Sequence, residues 1–289
     1  MSNLNGTLEK NSALIDAAIK MIITGDEHIV APMLYSSIAE GKKIRSFIFL
    51  ELIEILGSNK ELYIDIAAAI EIIHTYSLIH DDLPPMDNSD LRRGKLSNHK
   101  KFDEATAILA GDALLTLSFE IISNSACLDS EIKIELIREL SKASGYKGMI
   151  EGQLLDIRAQ NKEINITQLK QMYYLKTGKL FTFCSTAPCF ISGSLGYISS
   201  LEKFAYNLGM LYQITDDVID YTSDPKISGK EKAKDSVLNK MNFVSLLGLD
   251  DAVKEIKRYE QNCIDFLRIL PINKSCLIDL VKTISSRKN

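Results

Sequence analysis

Tryptophan is absent from this chain of 289 residues, and helix breakers are scarce. Glycine at 15 and proline at 6 make up about 7% of it, where roughly 12% is usual. No proline falls between Met86 and Ala187, so long helices are open there. The five cysteines (Cys127, Cys184, Cys189, Cys263, Cys276) form no CxxC pair and are odd in number. That argues against a disulfide framework and fits scattered buried thiols in a reducing compartment. A basic excess is also missing. Lys plus Arg is 34 and Asp plus Glu 38, a net charge of −4, so no nucleic-acid partner is expected. The N-terminus lacks a basic stretch followed by an apolar one, so no signal peptide is expected. Leu180 to Leu201 is uncharged and long enough to span a membrane. It contains Pro188, Gly193, Gly196 and several Ser and Thr, and falls short of about 20 predominantly apolar residues. It reads as a buried helix, a glycine turn and a new helix start, with Ser199 and Glu202 as a capping box. The expectation is a cytoplasmic protein with no transmembrane segment.

What is present is a globular composition, 46% hydrophobic and 25% charged. A prior of about 150 residues per domain would suggest two domains. However, no linker, repeat or low-complexity segment divides the chain, so a single domain over 1–289 is the better reading. Apolar residues recur at three- and four-residue steps, as in Leu62, Ile66, Ala69, Ile70, Ile73 and in Leu114, Leu117, Phe119, Ile122. That is the period of a helix, not of a strand. Breaks fall at Gly57-Ser58-Asn59, Pro84-Pro85, Ser123-Asn124-Ser125, Gly193 to Gly196, Ser223-Asp224-Pro225 and Pro271. The fold class is all-α, with roughly ten or more helices, several apolar on more than one face and therefore central.

Two acidic constellations stand out. The first runs His80-Asp81-Asp82-Leu83-Pro84-Pro85-Met86-Asp87-Asn88-Ser89-Asp90-Leu91-Arg92-Arg93-Gly94. An apolar helix enters two Asp and is stopped by the double proline. Taken alone, the acids also fit turn and cap chemistry. Carboxylates beside two Arg suit a metal-bound polyphosphate, since carboxylate oxygens hold hard Mg²⁺ and guanidinium forks grip phosphate. The second runs Gly209-Met210-Leu211-Tyr212-Gln213-Ile214-Thr215-Asp216-Asp217-Val218-Ile219-Asp220. Asp216 and Asp220 share a helix face, with Gln213 one turn before Asp216. Like charges at that spacing repel. A solvated acidic face is the plainer reading. The apolar residues around them favour a cavity, where a divalent cation would relieve the repulsion.

Three basic elements accompany the acids. Gly41-Lys42-Lys43-Ile44-Arg45 opens an apolar helix, where an anion can bind. Lys176-Thr177-Gly178-Lys179 interrupts another helix, and Gly229-Lys230 and Asn239-Lys240 follow the second acidic cluster. Each Lys alone reads as a solvated charge. His74 lies two turns before Asp81 on the same helix face. A lone His on an apolar helix is more often a satisfied core residue.

Together these residues resemble the trans-polyprenyl diphosphate synthases, in particular the bacterial short-chain farnesyl diphosphate synthases. The likeness runs from about Tyr35 to Leu249, with the motifs in family order. Asp81, Asp82 and Asp87 match D-D-x-x-x-x-D, followed by L-R-R-G. The second cluster matches F-Q-x-x-D-D-x-x-D, with Tyr212 for Phe. Gly148 to Asp156 matches G-x-x-x-G-Q-x-x-D, and Lys176-Thr177-Gly178 matches K-T-G. The family's G-G-K-R-x-R-P reads Glu40-Gly41-Lys42-Lys43-Ile44-Arg45-Ser46. The acidic run after the first motif is thinned by Asn88 and Ser89, and G-K-S-T-Y/F reads Asn239-Lys240-Met241-Asn242-Phe243.

The resemblance implies the isoprenoid synthase fold, helices around a central cavity, and head-to-tail prenyl transfer with Mg²⁺. Isopentenyl diphosphate would be condensed with dimethylallyl or geranyl diphosphate to give farnesyl diphosphate (C15). A geranylgeranyl (C20) product is the alternative, and a terpene cyclase or a non-catalytic helical interaction protein are remoter ones. By analogy the metal ligands are Asp81, Asp87 and Asp216, with Asp82, Asp217 and Asp220 direct or one shell out. Arg92, Lys176, Thr177, Gln213, Lys230 and Lys240 would hold the allylic diphosphate, with Lys176, Thr177 and Gln213 closest to the chemistry. Lys42, Arg45, His74 and Arg93 would hold isopentenyl diphosphate without metal. Tyr76 and Ser77, five and four residues before Asp81, would set chain length, with Tyr76 as the floor and Pro84-Pro85 as an associated insertion. A homodimer is expected.

Overall fold

The computed structural model describes residues 4–222, 241–272 and 274–287. Helices dominate them. In chain order they are α1 (Leu4–Ile22), α2 (Val30–Ser37), α3 (Ile44–Ile55), α4 (Ile64–Asp81), α5 (Asn98–Lys101), α6 (Glu104–Asn124) and α7 (Ser130–Ser144). There follow α8 (Met149–Ala159), α9 (Ile166–Tyr173), α10 (Lys179–Ser192), α11 (Ile198–Thr222), α12 (Phe243–Leu247), α13 (Leu249–Leu267) and α14 (Ser275–Ser285). The all-α expectation holds, with one exception. Strands β1 (Leu91–Arg92) and β2 (Lys95–Leu96) form a small antiparallel hairpin in the first acidic constellation.

The described residues group into two compact units, one from residues 4–138 and 190–192, the other from 139–189 and 193–287. In the first, α4 is the central helix and packs against α1, α3 and α6. Ile66, Ala67, Ala68, Ala69, Ile70, Ile72 and Ile73 are all fully buried on it, more than one helix face, as its lack of amphipathic patterning requires. The spans Lys60–Asp81 and Glu104–Asn124 are long and apolar enough to cross a membrane by length and composition; 61% of the first and 39% of the second is buried within the chain. In the second unit α11 is central and packs against α12, α13 and α14.

Most of the expected breaks are observed. Leu56 ends α3 before Gly57, α6 stops at Asn124, and Gly193 takes a left-handed φ of 69° after α10. Pro188 lies inside α10. The capping box expected at Ser199 is not there. A 3₁₀ turn at Leu195–Tyr197 runs into α11 at Ile198, so Ser199 already lies in the first turn. The expected break at Ser223-Asp224-Pro225 lies outside the described residues.

Candidate functional site

In the first unit, α4 ends at Asp81 and the chain folds back on itself. Asp87 N–H donates to the Asp81 carbonyl (2.9 Å), Ser89 N–H to Asp82 (3.1 Å) and Asn88 N–H to Leu83 (3.1 Å). Asn88 has φ 44°, a left-handed conformation that Asn tolerates better than most residues. The turn therefore brings the backbones of Asp81 and Asp87 together although six positions separate them. The hairpin follows. Its two loop residues, Arg93 and Gly94, have φ 53° and 75°. Two positive values in a two-residue hairpin loop suit Asn-Gly or Gly-Gly. Arginine there costs on the order of 1–2 kcal/mol of backbone strain, a sign that the guanidinium is worth placing at the tip.

Asp82 is buried, and Arg92 grips its carboxylate from the side. Nε lies 3.2 and 3.1 Å from the two oxygens and Nη2 2.6 Å from Oδ1. The guanidinium's pKa is raised, burial being outweighed by Asp82, Asp81 and Asp87 together. Asp82 thus fastens the hairpin to the helix end.

A cationic corner lies nearby. Arg45 Nη1 is 3.2 Å from His74 Nε2. Arginine can only donate, so Nε2 accepts and the imidazole proton sits on Nδ1. His74's pKa is held well below the usual histidine value, by burial first and then by Arg45, Arg93, Arg92 and Lys43. The imidazole is neutral because burial disfavours its charged form, and the positive groups around it add to that. Lys43 itself is buried with Nζ 3.0 Å from Asp16, and holds a left-handed φ of 43° at the start of α3. The adjacent Ser46 N–H is already given to the buried Glu71 carboxylate (2.9 Å). Lys42 is exposed. Tyr76 is buried and Ser77 half-buried, its hydroxyl on the His74 carbonyl (2.8 Å).

In the second unit, Lys176-Thr177-Gly178 sits in a π-helical turn, Tyr174–Gly178, between α9 and α10. Such turns widen a helix locally and are common at functional sites. Gly152 of α8 permits the close approach this needs, since a Cβ there would lie 2.1 Å from the Lys176 backbone nitrogen. Lys176 Nζ meets Asp156 at 2.6 Å, and Thr177 donates to Gln213 Oε1 at 2.6 Å. On α11, Asp217 is buried and satisfied by the Tyr173 hydroxyl (2.9 and 2.8 Å to its two oxygens) and the Phe243 N–H (2.9 Å). Asp216 pairs with Arg287, whose guanidinium also stacks 4.8 Å from the Tyr212 ring centre. Asp216 and Asp220 are half-buried. Lys230 and Lys240 lie outside the described residues.

Among the described residues, no three acidic, His or Cys side chains stand together as a preformed cage. The donors nevertheless suit Mg²⁺. They are hard carboxylate oxygens, and Asp216 already presents one to a cationic group.

The sequence pattern of the polyprenyl synthetases matches residues 26–266. The chain belongs to the polyprenyl synthetase family. The match crosses both compact units. Among curated relatives, the farnesyl diphosphate synthase of Micrococcus luteus is 43% identical over 83% of this chain and 82% of its own. That of Bacillus subtilis is 38% identical over 88% and 87%. A solved FPP/GFPP synthase from Zymomonas mobilis superposes with TM-score 0.89 at 33% identity, covering 98% and 99% of the two chains. A Helicobacter pylori geranyltransferase, solved with magnesium and isoprenyl diphosphate, gives 0.85 at 34% identity, covering 98% and 97%. The fold is therefore that of the isoprenyl synthases.

Sequence reasoning missed three partners. Arg287 on Asp216 and Tyr173 on Asp217 carry no local signal, since 71 and 44 residues separate the pairs. Asp156 on Lys176 was visible only as the last letter of a motif.

Proposed function

We propose that this protein is a farnesyl diphosphate synthase, joining isopentenyl diphosphate head to tail with dimethylallyl and then geranyl diphosphate. The observation that carries this reading is the cationic corner around neutral His74, beside an Asp-rich turn. A terpene cyclase needs an Asp-rich metal site but no second cationic pocket. A non-catalytic helical protein needs neither, nor a strained arginine at a hairpin tip.

In this reading Asp81 and Asp87 of the first motif and Asp216 and Asp220 of the second supply metal ligands. Asp82 and Asp217 hold those ligands' backbones in place. Held by these carboxylates, Mg²⁺ would supply the positive charge that makes the allylic diphosphate a leaving group. Arg92, Lys176, Lys230 and Lys240 hold its phosphate oxygens. The C1–O bond breaks with its electron pair on the diphosphate. Thr177 and Gln213, locked to each other, turn oxygen dipoles toward the positive charge left on the allyl group. Lys42, Arg45, His74 and Arg93 hold isopentenyl diphosphate so that its double bond forms the new C–C bond at C1. A proton is then lost, to the departing diphosphate. Tyr76, five residues and about 7.5 Å of helix rise before Asp81, ends the space for the growing chain, which sets C15.

Residues 1–289 act as one catalytic domain in the cytoplasm, as a homodimer. The exposed Ile108 and Leu109 on α6 (44% and 59%) offer an apolar face for a second copy. The test is incubation with Mg²⁺, labelled isopentenyl diphosphate and an allylic primer, for wild type and for Asp81→Ala and Asp216→Ala. Elongation is expected in wild type, with turnover falling more than tenfold in both variants. Cyclised hydrocarbon would point to a cyclase. A variant retaining more than about a tenth of the rate, under ~1.4 kcal/mol in the barrier, would refute the ligand assignment.

A further inference from the structure

We propose that His80 and Gly111 fix product length by holding the Tyr76 ring in place, a positioning role that rests on the reading of Tyr76 as the floor. His80 follows Tyr76 by one helical turn on α4, so the two side chains share a face. Their rings meet edge to face, with centroids 5.8 Å apart and planes at 86°. Tyr76 is 4% exposed, so this edge is one wall of a closed setting.

His80 is itself held from α6. Its Nε2 lies 3.0 Å from the Ile108 carbonyl oxygen. A carbonyl only accepts, so Nε2 carries the proton and donates. The ring fills the notch left by Gly111. A Cβ at that position would lie 2.1, 2.5 and 2.8 Å from three atoms of the imidazole. Any Cβ there would force the imidazole out of this position. Asp112 Oδ1, at 3.9 Å, flanks it on the next position of α6. The neighbours therefore form a chain from α6 to α4: Gly111 admits His80, Ile108 fixes its tilt, and His80 stops the tyrosine ring from swinging aside. A floor made by Tyr76 alone would yield to the pressure of a growing chain, whereas one backed by a hydrogen-bonded ring would not.

Gly111→Ala is the probe of choice. It lies away from the proposed metal ligands and replaces a helical glycine with a better helix former, yet evicts the His80 ring. His80→Ala is the second variant, and Tyr76→Ala the control for the floor. Each full-length protein is incubated with Mg²⁺, geranyl diphosphate and labelled isopentenyl diphosphate to equal low conversion, and the products are sorted by length. Both Gly111→Ala and His80→Ala should raise the C20-to-C15 ratio about tenfold, equivalent to about 1.4 kcal/mol of lost discrimination. A residue that served only to pack α4 on α6 would lower the rate and leave that ratio alone. Adding Gly111→Ala to Tyr76→Ala should change the ratio no further, because both act through one ring. If Tyr76→Ala lengthens the product while Gly111→Ala and His80→Ala do not, the proposal is overturned and the floor stands. If Tyr76→Ala leaves C15 unchanged, the floor itself is refuted and the proposal with it.

Discussion

Tyr173→Phe removes a single oxygen and isolates what Asp217 is for. The Tyr173 hydroxyl spans both Asp217 oxygens at 2.9 and 2.8 Å, and the Phe243 N–H donates to one of them at 2.9 Å. Both side chains are buried, Tyr173 at 7% and Asp217 at 5% exposure, so solvent screening takes little from the interaction. A hydrogen bond to a charged group contributes about 1.5–3 kcal/mol. Phenylalanine keeps the ring, which sits 5.8 Å from that of Phe243, so packing is preserved. The expected cost is about 2 kcal/mol, or roughly 5 °C in Tm for a chain of this size. Thermal unfolding followed by circular dichroism, without Mg²⁺, is the assay. If Asp217, as proposed, joins α9, α11 and the start of α12 and holds no metal itself, turnover at low temperature should fall less than about tenfold. A Tm within about 1 °C of wild type would refute this reading, as would a loss of activity equal to that of Asp216→Ala.

Further tests follow the same logic. Arg92→Ala leaves the buried Asp82 carboxylate without its guanidinium; because the Arg92 side chain is 37% exposed, water can reach the site and the cost should be about 2 kcal/mol of stability, measured by urea unfolding; a loss under about 0.5 kcal/mol would show that Asp82 is held by other groups. His74 has a depressed pKa in the folded chain, so the unfolded chain takes up its proton first as pH falls. Stability should drop below about pH 6.5, and His74→Gln should flatten that part of the curve. The same neutrality predicts that the pH dependence of KM for isopentenyl diphosphate, which its own phosphate ionisation at about pH 6 imposes, is the same in wild type and His74→Gln; a step that His74→Gln removes would mean that His74 ionises in the site. Gly152→Ala puts a Cβ against the Lys176 backbone and should lower both Tm and turnover; unchanged values would show that the π-turn can shift freely. Sedimentation at micromolar concentration should give a dimer.

Much of this was legible in the sequence because its signals are local. The helical period named the class, and the breaks at Gly57, Pro84-Pro85 and Gly193 are short-range effects of backbone freedom. The hairpin at Leu91–Leu96 has no legible strand signal, because two strands of two residues carry no alternation to read. Its one cue was Arg93-Gly94, read as charge rather than as a turn. Likewise Lys176-Thr177-Gly178 was seen to interrupt a helix, but a π-turn depends on how closely Gly152 lets α8 approach. The resemblance puts Asp81, Asp87 and Asp216 first and leaves Asp82, Asp217 and Asp220 direct or one shell out. Burial separates them: Asp82 and Asp217 are enclosed and tied to Arg92 and to Tyr173 with Phe243, whereas Asp81, Asp87, Asp216 and Asp220 are half-buried. Long-range partners such as Arg287 were beyond the reach of any spacing argument.

As a farnesyl diphosphate synthase, this chain should add isopentenyl units to an allylic diphosphate and stop at fifteen carbons. That is tested most directly by incubating the wild-type protein with Mg²⁺, geranyl diphosphate and labelled isopentenyl diphosphate, then removing phosphate and resolving the alcohols by length. Farnesol is expected as the main product, and none when the metal is chelated. Geranylgeraniol as the main product, or elongation that persists without divalent metal, would contradict it.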